Sequence, residues 1–358
     1  MNFLLSGYYG FDNAGDEAVL AAILDELGAR VPENTRFIVT SGDPANTVAL
    51  HSTASRHVEA IPRQHPRALL QAMRACDVFI SGGGSLIQDA TSLRNVVYYT
   101  SLIRFARLLR KPVMIYAQGV GPLRQTLSQK LARAAMQGAR VITVRDEDSK
   151  ELLRRIGVTR KIEVTADPVW ALQPGGMRDE EQSSRQPLRW NVSLRSWLDS
   201  ATEDGGVEPV RRTIAILRTA ASAVGARLRF LPMQPAKDRT LVEACGAQSD
   251  EIFETEVLHP RDVMAACGRC DVMIAMRLHA LIFAAAQGVP CVAINYDPKV
   301  EALAKMIGAP MIQDASAGEF AKLPTAITAA RPMAPQLLAR LQEKARRNAE
   351  LAAALAPD

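Results

Sequence analysis

The chain of 358 residues contains no stretch of about 18 consecutive apolar residues, so no membrane-spanning helix is predicted. Its opening, Met1-Asn2-Phe3-Leu4-Leu5-Ser6-Gly7, lacks the basic region and long apolar core of a secretion leader. The five cysteines (Cys76, Cys245, Cys267, Cys270, Cys291) form no even, regular framework, which points to free thiols in a reducing cytoplasm. One CxxC, Cys267-Gly268-Arg269-Cys270, has neither a second pair nor spaced histidines, which argues against zinc or redox chemistry. No zinc-knuckle spacing or interleaved aromatic run accompanies the Lys and Arg residues, so a nucleic-acid partner is not expected. Neither charge sign dominates: the net charge is +5 and the pI about 9.0. Mild basicity of that size suits anionic substrates or the inner face of an anionic membrane. With 48% hydrophobic residues, the chain is long enough for two full cores.

What is present is an alternation. Phe3–Ser6, Phe37–Thr40, Val78–Ser81, Val113–Tyr116, Val141–Val144 and Ile162–Thr165 read as buried strands, with amphipathic stretches between them. Gln173-Pro174-Gly175-Gly176 through Gln186-Pro187 carries glycine, proline and charge with little to bury, as an interdomain linker does. The alternation then restarts with Trp190–Leu194, Leu228–Leu231, Val272–Ala275 and Val292–Ile294. The expectation is an α/β protein of two Rossmann-like domains facing across a cleft. Residues 1–172 form the first, acceptor-side domain, 173–188 the linker and 189–330 the second, donor-side domain; 331–358 is a basic C-terminal helix that packs back on the first domain.

The halves also resemble each other. Ala75-Cys76-Asp77-Val78-Phe79-Ile80-Ser81 aligns with Arg269-Cys270-Asp271-Val272-Met273-Ile274-Ala275, and Lys111-Pro112-Val113 echoes Val289-Pro290-Cys291. Placing Ile80 against Ile274 sets Gly83 opposite Arg277 and Ser85 opposite His279. Where the first half has glycine and serine, the second has an arginine and a histidine. A planar guanidinium bonds two oxygens of a carboxylate or phosphate at once. A histidine in the first helical turn donates to phosphate and titrates in a useful range. Arg145, Arg195 and Lys299 likewise follow predicted strands, and such a ring of cations suits a small, multiply charged anion. Gln234 and Asp238 also follow a strand, with no role that the sequence decides.

Two glycine loops stand in the first half. Gly7-Tyr8-Tyr9-Gly10-Phe11-Asp12-Asn13-Ala14-Gly15-Asp16-Glu17 is not a P-loop, because Gly-Lys-Ser/Thr is absent. Within it Asn13 is placed to hydrogen-bond a hydroxyl, while Asp16 is either a helix cap or a base for a sugar hydroxyl. Ser81-Gly82-Gly83-Gly84-Ser85 is expected to present successive amides at a helix start.

Together these loops resemble the polysaccharide pyruvyl transferase family, in particular its CsaB type. The resemblance rests on Gly7-Tyr8-Tyr9-Gly10 with Asn13, Gly15, Asp16 and Glu17; Ser81–Ser85; Gln118-Gly119-Val120-Gly121-Pro122; Arg145-Asp146 with Ser149; Asp167-Pro168; Arg277-Leu278-His279; and Tyr296-Asp297-Pro298-Lys299. It implies a GT-B-like fold and transfer of pyruvate from phosphoenolpyruvate to a sugar as a 4,6-ketal. The implied acceptor is N-acetylmannosamine of a lipid-linked cell-wall precursor, whose ketal anchors surface-layer proteins. Donor binding then falls to Arg145, Arg195, Arg277, Leu278, His279 and Lys299, and acceptor binding to Tyr8, Asn13, Asp16, Gly83, Gly84 and Ser85. Catalysis is expected from His279, Arg277, Lys299 and Asp16, without metal or cofactor beyond phosphoenolpyruvate as co-substrate. The enzyme is expected in the cytoplasm, with peripheral contact to the inner membrane face through the basic tail. Two rival readings remain at this stage: a GT-B glycosyltransferase or nucleotide-sugar epimerase using a UDP-sugar, and a non-catalytic sugar- or phosphate-binding protein.

Overall fold

A computed structural model of the chain describes residues 1–90, 92–176, 187–196, 207–255, 259–314 and 316–356. The chain folds as two compact units. One comprises Met1–Phe11, Asp16–Leu172 and Arg340–Asp358; the other comprises Asp12–Gly15 and Gln173–Ala339. Of the expected linker 173–188, residues 177–186 lie outside the described ones.

The first unit runs β1 (Asn2–Tyr9), α1 (Ala14–Gly28), β2 (Arg36–Ser41), α2 (Pro44–His51), β3 (Val58–Pro62), α3 (Pro66–Ala75), β4 (Val78–Ser81), β5 (Gly84–Ile87), α4 (Leu93–Leu108), β6 (Val113–Val120), α5 (Thr126–Gly138), β7 (Val141–Val144), α6 (Glu147–Arg155) and β8 (Glu163–Val164). Its sheet has the order β3-β2-β1-β4-β6-β7-β8, with β5 paired to β6. The second unit runs β9 (Arg189–Ser193), α7 (Val207–Val224), β10 (Arg227–Phe230), α8 (Pro235–Ala244), α9 (Pro260–Cys267), β11 (Val272–Ala275), α10 (Leu278–Ala286), β12 (Cys291–Ile294), α11 (Pro298–Ile307), β13 (Met311–Ile312), α12 (Ala317–Phe320) and α13 (Leu323–Ala329). Its sheet has the order β10-β9-β11-β12-β13. Every pairing of these strands is parallel. A parallel sheet covered on both faces explains why the inner strands read as unbroken apolar runs.

A last helix, α14 (Pro335–Ala353), carries the chain end into the first unit from Arg340 onward. There the Thr165 hydroxyl donates to Asn348 Oδ1 at 2.8 Å in a buried contact, and Arg347 pairs with Glu163 at 3.1 Å.

The likeness between the halves extends to single hydrogen bonds. Asp77 Oδ2 accepts the amide of Asn2, and Asp271 Oδ2 accepts the amide of Arg189, each at 2.7 Å. Phe79 N donates to Pro112 O and Met273 N to Pro290 O, each at 2.9 Å. Ile80 pairs with Leu5 and Met114, as Ile274 does with Val192 and Val292. The Cys-Asp-Val motif therefore has one mechanical job in both units: its carboxylate closes the open end of the unit's first strand.

In both sheets the strand order reverses beside the first strand, between β1 and β4 and again between β9 and β11. Loops that leave the carboxyl ends of strands at such a reversal are where open α/β sheets hold ligands.

Candidate functional site

In the second unit, Arg195 follows β9, Arg277 follows β11 and Tyr296 follows β12, three adjacent strands of one sheet. Arg277 is the N-cap residue of α10 and makes no side-chain cap bond, so His279 falls in the first turn of a helix whose leading amides lack a capping side chain. An uncapped helix start of this kind attracts negative charge. His279 is half-buried, with its ring 6.3 Å from that of Phe283. Leu278 opens α10 beside it.

The Arg277 guanidinium is already held. Its Nε donates to Asp238 Oδ2 at 3.0 Å and its Nη2 to Asp238 Oδ1, while Asp238 also accepts the amides of Met233 (3.0 Å) and Gln234 (2.9 Å). The Asp238 side chain is only 3% exposed. Asp238, left undecided by the sequence, thus aims Arg277, and this pairing occupies two of the donors expected for the anion.

Tyr296 gathers the other cations. Arg195 Cζ lies 4.7 Å from its ring centroid, with Nη1 donating to its hydroxyl at 3.0 Å; Lys299 Nζ lies 5.9 Å from the same ring. Asp297 caps α11 by accepting the amide of Lys299 at 3.0 Å and pairs with its ammonium at 3.2 Å. The Tyr-Asp-Pro-Lys run is therefore a helix-capping sequence that delivers a tyrosine and a lysine to the strand end.

Arg145 belongs to the first unit. It is only 8% exposed, donates to Asp167 Oδ2 at 3.1 Å and to the Ser85 hydroxyl at 2.9 Å, and lies over the backbone of Gly119. A residue assigned to the donor and one assigned to the acceptor are thus hydrogen-bonded partners.

The glycine loop of the first unit differs from its sequence reading. Gly84 begins the short strand β5, and α4 does not start until Leu93, capped by Ser92. The expected row of amides at a helix start is therefore absent: the bonds of β5 to β6 claim the Gly84 backbone. The glycines serve close approach instead. Gly84 adopts φ +91°, and a Cβ there would lie 3.2 Å from Asp16 Oδ1, so Asp16 and Gly84 are brought together. A Cβ on Gly82 would overlap the Tyr9 hydroxyl, and Gly83 packs on Val19 and Pro168. Gln118 ties the loop to β6, its Nε2 donating to Ser81 Oγ at 2.8 Å and Gly82 O at 3.1 Å. Tyr9 is buried, which raises its phenol well above the usual range; Asp16 and Glu17 push the same way, so it serves as a neutral hydroxyl. Gly82→Ala is expected to cost about 1–3 kcal/mol in a denaturant titration. Adding Tyr9→Phe, which removes the obstructing oxygen, is expected to recover part of that loss.

Asn13 takes the capping role that the sequence left open for Asp16. Asn13 Oδ1 accepts the amide of Gly15 at 3.1 Å, which makes Asn13 the cap of α1 and commits the oxygen expected to meet a ligand hydroxyl. Asp16 sits half-buried in the first turn. Tyr8 stacks on Phe11, with centroids 4.3 Å apart. Two groups have no role in the sequence reading, although Glu17 is among the residues that carry the resemblance. Glu17 is buried, accepting the Gly10 amide at 2.7 Å and pairing with His51 at 2.9 Å. Arg63, after the unrecognised strand β3, lies among the rings of Tyr98, Phe11 and Tyr99 at 4.5, 5.2 and 5.6 Å. Alternation over Val58–Ile61 was the available signal for β3, obscured by Glu59 and Pro62.

Burial disfavours the thiolate form of both CxxC cysteines. Burial raises the Cys270 thiol to about 12 and Cys267 well above its ordinary value. Among the described residues no cluster of three or more His, Cys, Asp or Glu is arranged to hold a metal ion.

The family model of the polysaccharide pyruvyl transferases matches residues 13–298. Among solved structures, the UDP-GlcNAc 2-epimerase of Methanocaldococcus jannaschii superposes with a TM-score of 0.62 at 12% identity, covering 98% of each chain. The Neisseria meningitidis UDP-GlcNAc 2-epimerase bound to UDP-GlcNAc gives 0.54 at 11% identity, covering 98% of this chain and 99% of that one. Anabaena Alr3699/HepE in complex with UDP gives 0.53 at 13% identity, covering 98% of this chain and 95% of the other. At such identities the likeness establishes the fold, a GT-B-like pair of Rossmann units, and nothing about ligands.

Proposed function

The chain belongs to the polysaccharide pyruvyl transferase family, and from that premise we propose that this enzyme moves pyruvate from phosphoenolpyruvate to a sugar as a ketal, releasing phosphate. The observation that carries the donor assignment is the set of cations on adjacent strand ends of the second unit, with Arg277 and His279 at the uncapped start of α10. Phosphoenolpyruvate bears a carboxylate and a phosphate on three carbons and needs several donors close together. In this reading His279 relays the proton that converts the methylene carbon to a methyl group, and one sugar hydroxyl adds to C2. A second hydroxyl of the same sugar then displaces phosphate and closes the ketal, its proton leaving on the phosphate, with Arg277 and Lys299 neutralising the departing charge. Arg195, braced on Tyr296, assists in holding the anion. Asp16, beside Gly84 in the first unit, takes the proton of the sugar hydroxyl.

The acceptor assigned on the family resemblance is N-acetylmannosamine of a lipid-linked cell-wall saccharide, at positions 4 and 6. The test incubates the protein with such an acceptor and phosphoenolpyruvate, and separately with UDP-sugars, while recording released phosphate and UDP. Phosphate release that depends on both substrates is expected. UDP release without phosphate would assign the chain to nucleotide-sugar chemistry instead.

A further inference from the structure

From Ala90 to Arg145 the chain carries ten Lys or Arg residues and not one Asp or Glu, where its average composition would place about six acids. This run contains α4 and α5, which share one core and lie side by side; Arg107 Nη1 reaches Ala134 O at 3.5 Å. On α4 the positions Arg94, Val97, Ser101, Arg104 and Leu108 recur at intervals of three and four, and all are exposed. On α5 the exposed positions include Leu127, Lys130 and Arg133. Val97, Leu108 and Leu127 keep 42%, 78% and 51% of their surface open. Among the described residues none of the exposed cations of these two helices makes an ion pair. Elsewhere in the same unit Arg56 pairs with Asp25, Arg346 with Glu26 and Arg347 with Glu163.

An acid-free helical face with aliphatic side chains set among unpaired arginines is not an ordinary solvated surface, where both signs mix and pair. We propose that the α4–α5 face of the first unit docks on an anionic phospholipid surface, with Val97, Leu108 and Leu127 entering the headgroup layer between the cations. Charge complementarity selects the partner, and the aliphatic side chains separate it from a nucleic acid, because the exposed positions on these stripes offer no aromatic ring for a base to stack on. No helix among the described residues is long and apolar enough to cross a membrane, so the contact is peripheral. The proposal does not rest on the transfer reaction, and it places membrane contact on α4 and α5 rather than on the basic C-terminal helix.

The test is co-sedimentation with vesicles of phosphatidylglycerol and of phosphatidylcholine. Binding is expected to the anionic vesicles alone and to weaken as salt is raised. Each cation at the surface contributes about fivefold, so the combined Arg94→Gln, Arg104→Gln, Lys130→Gln variant is expected to lose about a hundredfold in affinity. The same three positions changed to lysine, where not already lysine, should bind as the parent does, and so should Arg340→Gln with Lys344→Gln on α14. Circular dichroism checks that each variant is folded. The proposal is overturned by equal binding to neutral vesicles, by unchanged binding of the triple glutamine variant, or by loss on the α14 changes. It is equally overturned if the parent binds a duplex oligonucleotide but no vesicle, or forms a dimer that the triple variant dissolves.

Discussion

Arg277→Ala is expected to abolish most turnover, lowering kcat/KM for phosphoenolpyruvate by a factor of about 10²–10³, the loss typical when one preorganised donor to a developing anion is removed. The same change also strands Asp238, whose carboxylate is buried and loses both guanidinium bonds. Removing one partner of a buried pair costs several kcal/mol; about 3 kcal/mol is expected here, at the low end, because the amides of Met233 and Gln234 still hold the oxygens. The two effects separate in a double variant. Asp238→Asn in the Arg277→Ala background removes the stranded charge, so it should restore much of the stability while leaving turnover as low as in the single variant. If the double variant regained activity, Arg277 would be a scaffold residue and the donor site would lie elsewhere. Arg277→Lys keeps a charge but not the planar fork, so it should recover only a small part of the lost rate. Steady-state kinetics and denaturant titration on the four proteins give both readouts.

The architecture was legible because inner strands buried on both faces read as apolar runs, and Val272–Ala275 is found as read. The elements missed are those that this rule does not reach. Strand β3 is the sheet edge, with only Val58 fully buried and Glu59 and Pro62 within it. Strand β5 begins in glycine and leans on β6 alone. Helix α2 is only eight residues long and buries just Thr47 and His51. For the site, position was readable and partnership was not. That Arg277 and Arg195 each end a strand follows from alternation; that β9 and β11 are neighbours does not. That Arg277 is gripped by Asp238, 39 residues earlier, and Arg145 by Ser85, 60 residues earlier, depends on the sheet order. Several residues carrying the family resemblance also turn out to be supports: Asp146 caps α6, Ser149 Oγ accepts the Val120 amide at 2.9 Å, and Asp167 pairs with Arg145. Their motif spacing records how the ligand-side loops are braced as much as what touches the ligand.

Glu17 is the strongest of these braces. Its carboxylate is 4% exposed and stands between the Gly10 amide and the His51 ring, which is itself fully buried. Gly10 adopts φ +74° and packs against the backbone of Gly42 and Asp43, and Glu17 holds its amide there. Glu17→Ala leaves that amide and the His51 Nε2 without their shared partner. The expected cost is about 3–5 kcal/mol, the sum for two buried hydrogen-bonding groups that lose this partner. For a unit of this size that corresponds to a fall in Tm of roughly 6–20 °C. Glu17→Gln retains an oxygen for one donor and should lose distinctly less. Because Asp16 adjoins Glu17 and lies beside Gly84, the alanine variant is also expected to raise KM for the sugar more than for phosphoenolpyruvate. Calorimetry with separate titration of the two substrates tests this. An equal rise in both KM values would mean that Glu17 stabilises the unit without shaping its ligand-side loop.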